Sequence, residues 1–285
     1  MYNDIIAYQG HEGAYSHLSC RRVYPGLTAL ACNSFIEAMH KVEQGEAKLA
    51  MIPLENSTAG RVEEIYRQMP KTRLHIVGEH FEPVNHCLLG VKGARIADLK
   101  TVGSHPQALA QCDDRVKSWG LEPVAKLDTA GAALEVSQLQ DPTHAAIASS
   151  LAAELYDLEI LQDNIQDRDG NTTRFLILSN TRSMPAYQRG THFITSIMFQ
   201  VRNIPAGLYK ALGGFATNNV NLVKLESYMT GGTLKESRFH LDAAGHPDQR
   251  SLQLALQELD FFAKDVRILG TYEAHPFRTD HELID

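Results

Sequence analysis

Short apolar runs alternate with helical patterns along residues 4–178, and this alternation constrains the fold more than any other feature of the sequence. Strands that alternate with helices of about 10–15 residues predict parallel α/β sheets. The stretch is long for one sheet, and crossings are expected near 79–85 and 156–166, so we expect two lobes with a ligand cleft between them. The predicted strands are 5–8, 49–53, 74–78, 86–91, 101–104, 124–127, 145–148 and 174–178; the predicted helices are 35–45, 61–69, 106–119, 131–140 and 151–156.

A different pattern begins after a polar break at 180–191, which contains Pro185 and Gly190 and is typical of a linker. Strand, helix, strand, strand, helix and strand patterns then follow in about 80 residues, which is the ferredoxin-like α+β order βαββαβ. The turn Thr230-Gly231-Gly232-Thr233 is expected to join the two middle strands. The expected units are an α/β domain at 1–180 (lobe one 1–78 and 157–180, lobe two 79–156), an α+β domain at 192–275 and a tail at 276–285.

Composition and charge exclude several classes of protein. The 34 Asp and Glu outnumber the 27 Lys and Arg, giving a net charge of −7 without any basic run, which argues against nucleic-acid binding. No apolar segment approaches the ~20 residues that span a bilayer, and the first residues do not resemble a signal peptide. The four Cys form no CxxC pair, and the 13 His show no HxxxH or HExxH spacing. We therefore expect a cytoplasmic protein with reduced thiols and no metal, membrane or nucleic-acid site.

Polar loops border four of the predicted strands. The loop at 10–16 has glycines that permit close backbone approach, and the free amides of the next helix can hold an anion. The loop at 53–60 combines a carboxylate, an amide and two hydroxyls; the loops at 104–112 and 169–175 add Ser-His-Pro and Asn-Thr-Thr-Arg. Hydroxyls, amides and a fixed cation suit the binding of a small carboxylate and proton donation to a leaving oxygen. Four such loops predict one polar pocket.

The same residues also have a purely structural interpretation. Ser57 or Thr58 could cap one helix, Ser104 or His105 could cap another, and Arg174 could form a structural ion pair. The residues taken loop by loop leave both interpretations open.

Taken together, the loops resemble those of the prephenate dehydratase family. The shared motifs are GxxGAYS at 10–16, PLENSxxG at 53–60, SHPQALxQC at 104–112, DTAGAA at 128–133 and NxTRF at 171–175. The resemblance implies a two-lobed, periplasmic-binding-protein-like catalytic unit followed by a C-terminal ACT domain. It also implies the conversion of prephenate to phenylpyruvate in phenylalanine biosynthesis, with loss of water and CO2 and without a cofactor.

The resemblance also implies roles for individual residues. Thr173 would act as the acid toward the departing hydroxyl, Arg174 would hold a substrate carboxylate, and Phe175 would wall the cleft. Because a threonine hydroxyl is a poor acid, that role must be hydrogen-bond donation in the transition state. The other residues expected to bind substrate are Ser16, Glu55, Asn56, Ser57, Ser104, His105, Gln107, Asn171 and Thr172.

Regulation is expected at the C-terminal domain, where family members bind L-phenylalanine between paired ACT domains. Helix-start amides near Ala206 could bind the carboxylate of the amino acid and Glu226 its ammonium, although Glu226 could equally be a solvated surface charge. This chain departs from the family's GAL and ESRP motifs, since it has Ala206-Gly207 and Glu226-Ser227-Tyr228 at those places. The expected effector-binding residues are Asn203, Pro205, Ala206, Gly207, Leu208, Asn221, Leu222, Glu226 and Ser227.

Other functions stay open on the sequence. Arogenate dehydratase keeps the chemistry and changes the substrate, and a non-catalytic amino-acid sensor would keep only the architecture. A fused chorismate mutase would need a further helical domain upstream, so a monofunctional enzyme is expected. Paired ACT domains and contacts between catalytic domains predict a homodimer or homotetramer.

Overall fold

The computed structural model describes residues 4–229, 237–281 and 283–284. Fifteen strands and ten α-helices are found in this part of the chain. The strands are β1 (Ile5–Gln9), β2 (Thr28–Cys32), β3 (Leu49–Asn56), β4 (Gly60–Arg61), β5 (His75–Pro83), β6 (Cys87–Gly90), β7 (Thr101–Ser104), β8 (Glu122–Ala125), β9 (His144–Ala148), β10 (Glu159–Gln162), β11 (Thr172–Ser179), β12 (Phe193–Val201), β13 (Leu222–Met229), β14 (Ser237–Ala244) and β15 (Ala263–Glu273). The helices are α1 (Tyr15–Val23), α2 (Phe35–Glu43), α3 (Glu63–Gln68), α4 (Pro106–Gln111), α5 (Asp113–Ser118), α6 (Thr129–Leu139), α7 (Ser150–Leu155), α8 (Gly207–Thr217), α9 (Arg250–Phe262) and α10 (Pro276–Asp280).

The first sheet has the strand order β2-β1-β3-β11-β5, with β4 paired to β3. Strands β1, β2 and β3 are parallel, whereas β11 runs antiparallel to both β3 and β5. Alternate residues of β11 enter different cores, because successive side chains of a strand point to opposite faces. Phe175 and Ile177 pack on the side of α1, and Leu176 and Leu178 pack on the opposite side.

The second sheet has the order β10-β6-β9-β7-β8 and, together with the first, forms the predicted two-lobed α/β arrangement. The predicted lobe boundaries need correction. Strand β5 extends to Pro83 within the first sheet, so residues 79–83 are not a crossover, and β10 pairs with β6 in the second sheet rather than returning to the first. Charged and polar residues of β5 hid its length, since Glu79, His80 and Glu82 are buried and paired with other side chains.

The C-terminal unit shows the predicted order βαββαβ, with sheet order β13-β14-β12-β15. One face of this sheet packs on α8 and α9 through residues such as Phe199 and Leu241. The other face shares a core with the first sheet, to which it contributes Ile194 and Tyr272. At Gly270 the backbones come so close that an added Cβ would lie 1.9 Å from the carbonyl oxygen of Ile76.

Several local predictions are wrong or untested. The helix predicted at 106–119 is two helices that break at Cys112, and the predicted tail contains α10, which stacks Phe277 on Phe81. Strand β2 and helix α1 were not predicted. The predicted turn at 230–233 lies outside the described residues. All four Cys are free and buried, as predicted, and no described helix has the length and apolarity required to cross a membrane.

Candidate active site

A cleft lies between the two lobes, where the polar loops of both sheets meet. It consists of a cavity of about 510 Å³ and a neighbouring cavity of about 920 Å³, which share Tyr15, Asp128 and Thr129 in their walls. The smaller cavity is lined by residues from all four predicted loops, including α4. Its polar lining includes Asn56, His86, His105, Gln107, Gln111, Asn171 and Thr173.

Thr173 and Asn56 lie side by side on the cleft face, because they are directly opposed on β11 and β3. The Asn56 Nδ2 donates to the Thr173 Oγ1 at 3.0 Å and to the Asn171 Oδ1 at 2.7 Å. The orientation of this amide is fixed, since the Asn56 Oδ1 accepts from the backbone amides of Thr58 and Ala59. Within the described residues, the hydroxyl of Thr173 has no acceptor, so its proton is free to point into the cleft.

Gln111 connects the two lobes across the cleft. Its Nε2 donates to the Thr58 Oγ1 at 2.9 Å, and its Oε1 accepts from the Asn171 Nδ2 at 3.0 Å. The same Oε1 lies 2.8 Å from the His86 Nε2, and the His86 Nδ1 lies 3.0 Å from the Tyr15 hydroxyl. Burial lowers the pKa of His86, partly offset by the bond to Gln111. A neutral His86 that donates from Nε2 satisfies the contact with Gln111, whereas its Nδ1 competes with the Asn85 carbonyl for the single proton of the Tyr15 hydroxyl.

Other predicted site residues have structural roles. Ser104 is fully buried and donates to the Ile147 carbonyl at 2.6 Å, and Ser57 links Gly170 to Thr172 through its hydroxyl. The His105 Nδ1 accepts from the backbone amide of Gln107 and so caps α4, as the structural interpretation allowed. Thr172 is buried, whereas Ser16 lines the larger cavity.

Arg174 lies outside the cleft, contrary to the prediction that it binds substrate. It neighbours Thr173 on β11 and therefore faces the opposite side of the sheet, toward the C-terminal unit. Its side chain is 2% exposed. Its Nε donates to Glu79 at 2.9 Å, its Nη1 lies 2.7 Å from an Asp242 oxygen, and its Nη2 donates to the Tyr272 hydroxyl at 3.0 Å. These contacts agree with the structural interpretation of Arg174.

Glu55 is removed from the cleft by the same alternation, whereas Phe175 lies on the same side of β11 as Thr173 and is removed by burial in the core. Glu55 is opposed to Arg174, accepts from its Nη1 at 3.1 Å and pairs with Lys224 of the C-terminal unit. Burial alone would raise the pKa of Glu55, but Arg174 and Lys224 outweigh it and lower the pKa. Phe175 is buried in the core beside α1. Neither side chain lines either of the two cavities.

The larger cavity has features suited to an anion. Helix α1 begins at its wall, and no side chain of the described residues caps the first-turn amides of α1. His11 from the same loop lies 2.7 Å from Asp128 across the cleft, and Asp128 also caps α6 by accepting from the Gly131 amide. Uncapped amides at a helix start are positive partial charges.

The predicted effector residues do not form one site within a single chain. Ala206, Gly207 and Leu208 lie at the start of α8, whereas Asn221 and Leu222 follow its end, so an 11-residue helix of about 16 Å separates the two groups. Asn203 and Pro205 are exposed near the first group. Glu226 is neither free nor fully solvated, because the Arg61 Nη1 donates to it at 3.0 Å and to the Ser227 carbonyl at 2.9 Å.

Sequence reasoning missed several residues that shape the cleft: Tyr15, Thr58, His86 and Gln111. Tyr15 and Gln111 lie inside the motifs GxxGAYS and SHPQALxQC, so their positions in these motifs could have identified them. His86 has no motif of its own and enters the site only because the chain crosses between lobes there.

Comparisons with known proteins agree on one family. The family model described as "Prephenate dehydratase" matches residues 6–183. A bifunctional N-acyl-homoserine lactone acylase/prephenate dehydratase of Komagataeibacter europaeus is 48% identical over 274 residues, covering 96% of this chain and 97% of that protein. Arogenate dehydratase/prephenate dehydratase 2 of Arabidopsis thaliana is 40% identical over 276 residues, covering 94% and 72%. The structure of prephenate dehydratase in complex with L-Phe from Arthrobacter aurescens superposes with a TM-score of 0.85 at 27% identity, covering 98% and 97%.

Proposed function

The chain belongs to the prephenate dehydratase family and is a lyase, and from this premise we propose that it converts prephenate to phenylpyruvate, CO2 and water. In this reaction the C–C bond to the ring carboxylate breaks and its electron pair enters the ring. The C–O bond to the ring hydroxyl then releases hydroxide, which needs one proton to leave as water. Aromatisation supplies most of the driving force, so the protein must orient a dianion and protonate one oxygen.

The observation that carries the proposal is the Asn56–Thr173 pair. An amide that donates to the Thr173 oxygen leaves the hydroxyl hydrogen available to a ligand in the cavity that Thr173 lines. A hydroxyl fixed in this way can donate to the departing oxygen as negative charge develops there, which stabilises the transition state more than the bound substrate. The proton that leaves with the water comes ultimately from solvent.

Binding of the dianion is attributed to groups other than Arg174. The uncapped amides of α1 provide positive partial charge at the wall of the larger cavity, where His11 is bonded to the Asp128 carboxylate and Glu12 is the other carboxylate of the lining. Gln111 and Asn171 each donate one amide hydrogen within the described residues and keep a second one next to Thr173, whereas both amide hydrogens of Asn56 are used. Arg61 belongs to the wall through β4, but its guanidinium is bonded to Glu63 and Glu226.

The test is a direct assay with prephenate, following phenylpyruvate by its absorbance in base. We expect turnover by the wild type and a kcat about 10²–10³-fold lower in Thr173→Ala, with a smaller change in KM. Ser179→Ala removes a hydroxyl from the other end of the same strand and should keep wild-type kcat. A Thr173→Ala enzyme with near-wild-type kcat would overturn the assignment of Thr173, and an inactive wild type would overturn the substrate.

Arogenate is the alternative substrate, since several relatives carry that name. The value of kcat/KM for prephenate divided by that for arogenate decides between the two substrates. A ratio below one would make arogenate the preferred substrate. The Komagataeibacter relative is named as bifunctional. Release of homoserine lactone from an acylated substrate, measured in the same preparations, shows whether the present chain has such an activity. Binding of amino acids without any turnover would favour the sensor.

We further propose that residues 192–275 form an ACT domain, that residues 1–180 form the catalytic domain, and that the cytoplasmic enzyme is a homodimer or homotetramer. The βαββαβ order and the L-Phe complex of the Arthrobacter relative support an effector site for L-Phe at the start of α8, completed by Asn221 and Leu222 of a second chain. Isothermal titration with L-Phe tests the site, and light scattering tests the assembly. Glu226→Ala tests whether Glu226 contacts L-Phe directly. Loss of the binding heat in this variant would mean direct contact, whereas an unchanged binding heat would mean that Glu226 serves only to pair with Arg61.

A further inference from the structure

Consecutive residues of β11 face different parts of the molecule. Thr173 points into the cleft, and Arg174 points into the interface with the C-terminal unit. The opposed strand β3 repeats this division, because Asn56 contacts Thr173 in the cleft and Glu55 contacts Arg174 in the interface. The two strands therefore carry a candidate catalytic pair on one face and an ionic pair on the other.

The interface side of this strand pair is held from the C-terminal unit by a buried polar network. Asp242, which is fully buried on β14, lies 2.7 Å from the Arg174 Nη1. A chain of hydrogen bonds connects Arg174 to Asp242 a second time. Arg174 donates to the Tyr272 hydroxyl, which lies 2.8 Å from the Ser196 hydroxyl, and Ser196 donates to Asp242 at 2.5 Å. Since the single Ser196 proton goes to Asp242, Tyr272 is the donor toward Ser196.

The network also has charge partners that hold both strands. Lys224 of β13 pairs with Glu55 on β3, and Arg278 of α10 donates twice to Glu79, which accepts from the Arg174 Nε. The guanidinium of Arg174 is thus fixed in three directions, and its backbone is the peptide neighbour of Thr173. Interactions in a low-dielectric interior are strong and directional, so a displaced Arg174 shifts the strand that carries Thr173.

We propose that Asp242 is a positioning residue for the reaction: acting through Arg174, it fixes the place of the Thr173 hydroxyl on the other face of β11. This inference rests on the role of Thr173 proposed above. It makes the C-terminal unit part of the structure that sets the turnover number. Misplacement of a reacting group by about 1 Å can cost as much as a hundredfold in rate, so small strand shifts are sufficient.

The experiment is a double-mutant cycle between Asp242→Asn and Thr173→Ala, with kcat and KM for prephenate measured on the full-length protein well below each Tm. We expect Asp242→Asn to lower kcat about tenfold or more with KM within about twofold. In the Thr173→Ala background, assayed at high enzyme concentration, Asp242→Asn should change kcat by less than about twofold, because the hydroxyl it positions is gone.

Arg267→Gln is the matched control. Arg267 donates to the Thr72 and Leu74 carbonyls across the same interface, and in the part of the chain that the structure describes it makes no hydrogen bond or ion pair with the Arg174 network. It should lower Tm and leave kcat unchanged. If Asp242→Asn does not fold, Tyr272→Phe removes only the hydroxyl that accepts from Arg174 and should lower kcat in the same direction.

The outcomes separate the two proposals. Wild-type kcat in both Asp242→Asn and Tyr272→Phe overturns the positioning role, as does an equal loss of kcat with and without the Thr173 hydroxyl. Wild-type kcat in Thr173→Ala overturns the proposed function instead.

Discussion

Replacement of Arg174 by Met should destabilise the protein rather than weaken substrate binding. The substitution keeps an unbranched side chain and removes the charge. Glu79 would retain Arg278, and Glu55 would retain Lys224, so the group left without a strong counter-charge is Asp242. His240 and Ser196 alone would then face that carboxylate. Leaving one buried charge unpaired costs about 3–5 kcal/mol, which corresponds to a fall in Tm of roughly 6 °C or more.

The dependence on pH gives this prediction a second signature. Burial alone would raise the pKa of Asp242, but Arg174 and His240 hold it well below the ordinary value. In the wild type this contribution to stability is therefore complete above the unfolded pKa of about 4 and is lost as the pH falls through the folded value. Without Arg174, burial dominates and the folded pKa of Asp242 rises. The stability difference between wild type and Arg174→Met should accordingly be largest near neutral pH and shrink on acidification.

Urea unfolding of both proteins at several pH values, followed by circular dichroism, measures this difference. Arg21→Met is the control, because Arg21 pairs with Glu154 on the exposed surface and should cost about 1 kcal/mol or less. An unchanged unfolding free energy combined with a large rise in KM would refute the reasoning and restore Arg174 as a ligand of the substrate carboxylate.

Two further substitutions test the cleft and the domain interface. Gln111→Leu removes the two hydrogen bonds that bridge the lobes. Because each lost hydrogen bond costs about 0.5–1.5 kcal/mol, the variant should have a higher KM and a kcat/KM about tenfold lower. Unchanged steady-state constants would mean that the bridge does not form in solution. Gly270→Ala places a Cβ 1.9 Å from the Ile76 carbonyl and should lower the unfolding free energy by about 1–3 kcal/mol. Its control is Gly213→Ala, which meets nothing within 4 Å in α8 and should be neutral or stabilising by about 0.5–1 kcal/mol; equal effects of the two would contradict the close approach.

Much of the architecture could be predicted from local sequence patterns. The βα alternation predicted two α/β lobes, and the change of pattern after residue 191 predicted βαββαβ, because hydrophobic periodicity is set by neighbours along the chain. The loops that approach the cleft were recognised in the same way, from glycines and polar residues after apolar runs. Strand β5 shows the limit, since its buried Glu79 and Glu82 hide its length until their partners are known.

The sequence by itself determined which segments would form the two lobes, the C-terminal unit and the polar loops, whereas only the tertiary structure decided which side of a strand each polar residue serves. Thr173 and Arg174 are neighbouring polar residues in one motif, yet Thr173 faces the cleft and Arg174 faces a buried network. The physical reason is that successive strand residues point in opposite directions, and the surroundings of each face come from distant segments. For Arg174 that segment is β14 with Asp242, which no local pattern connects to the cleft.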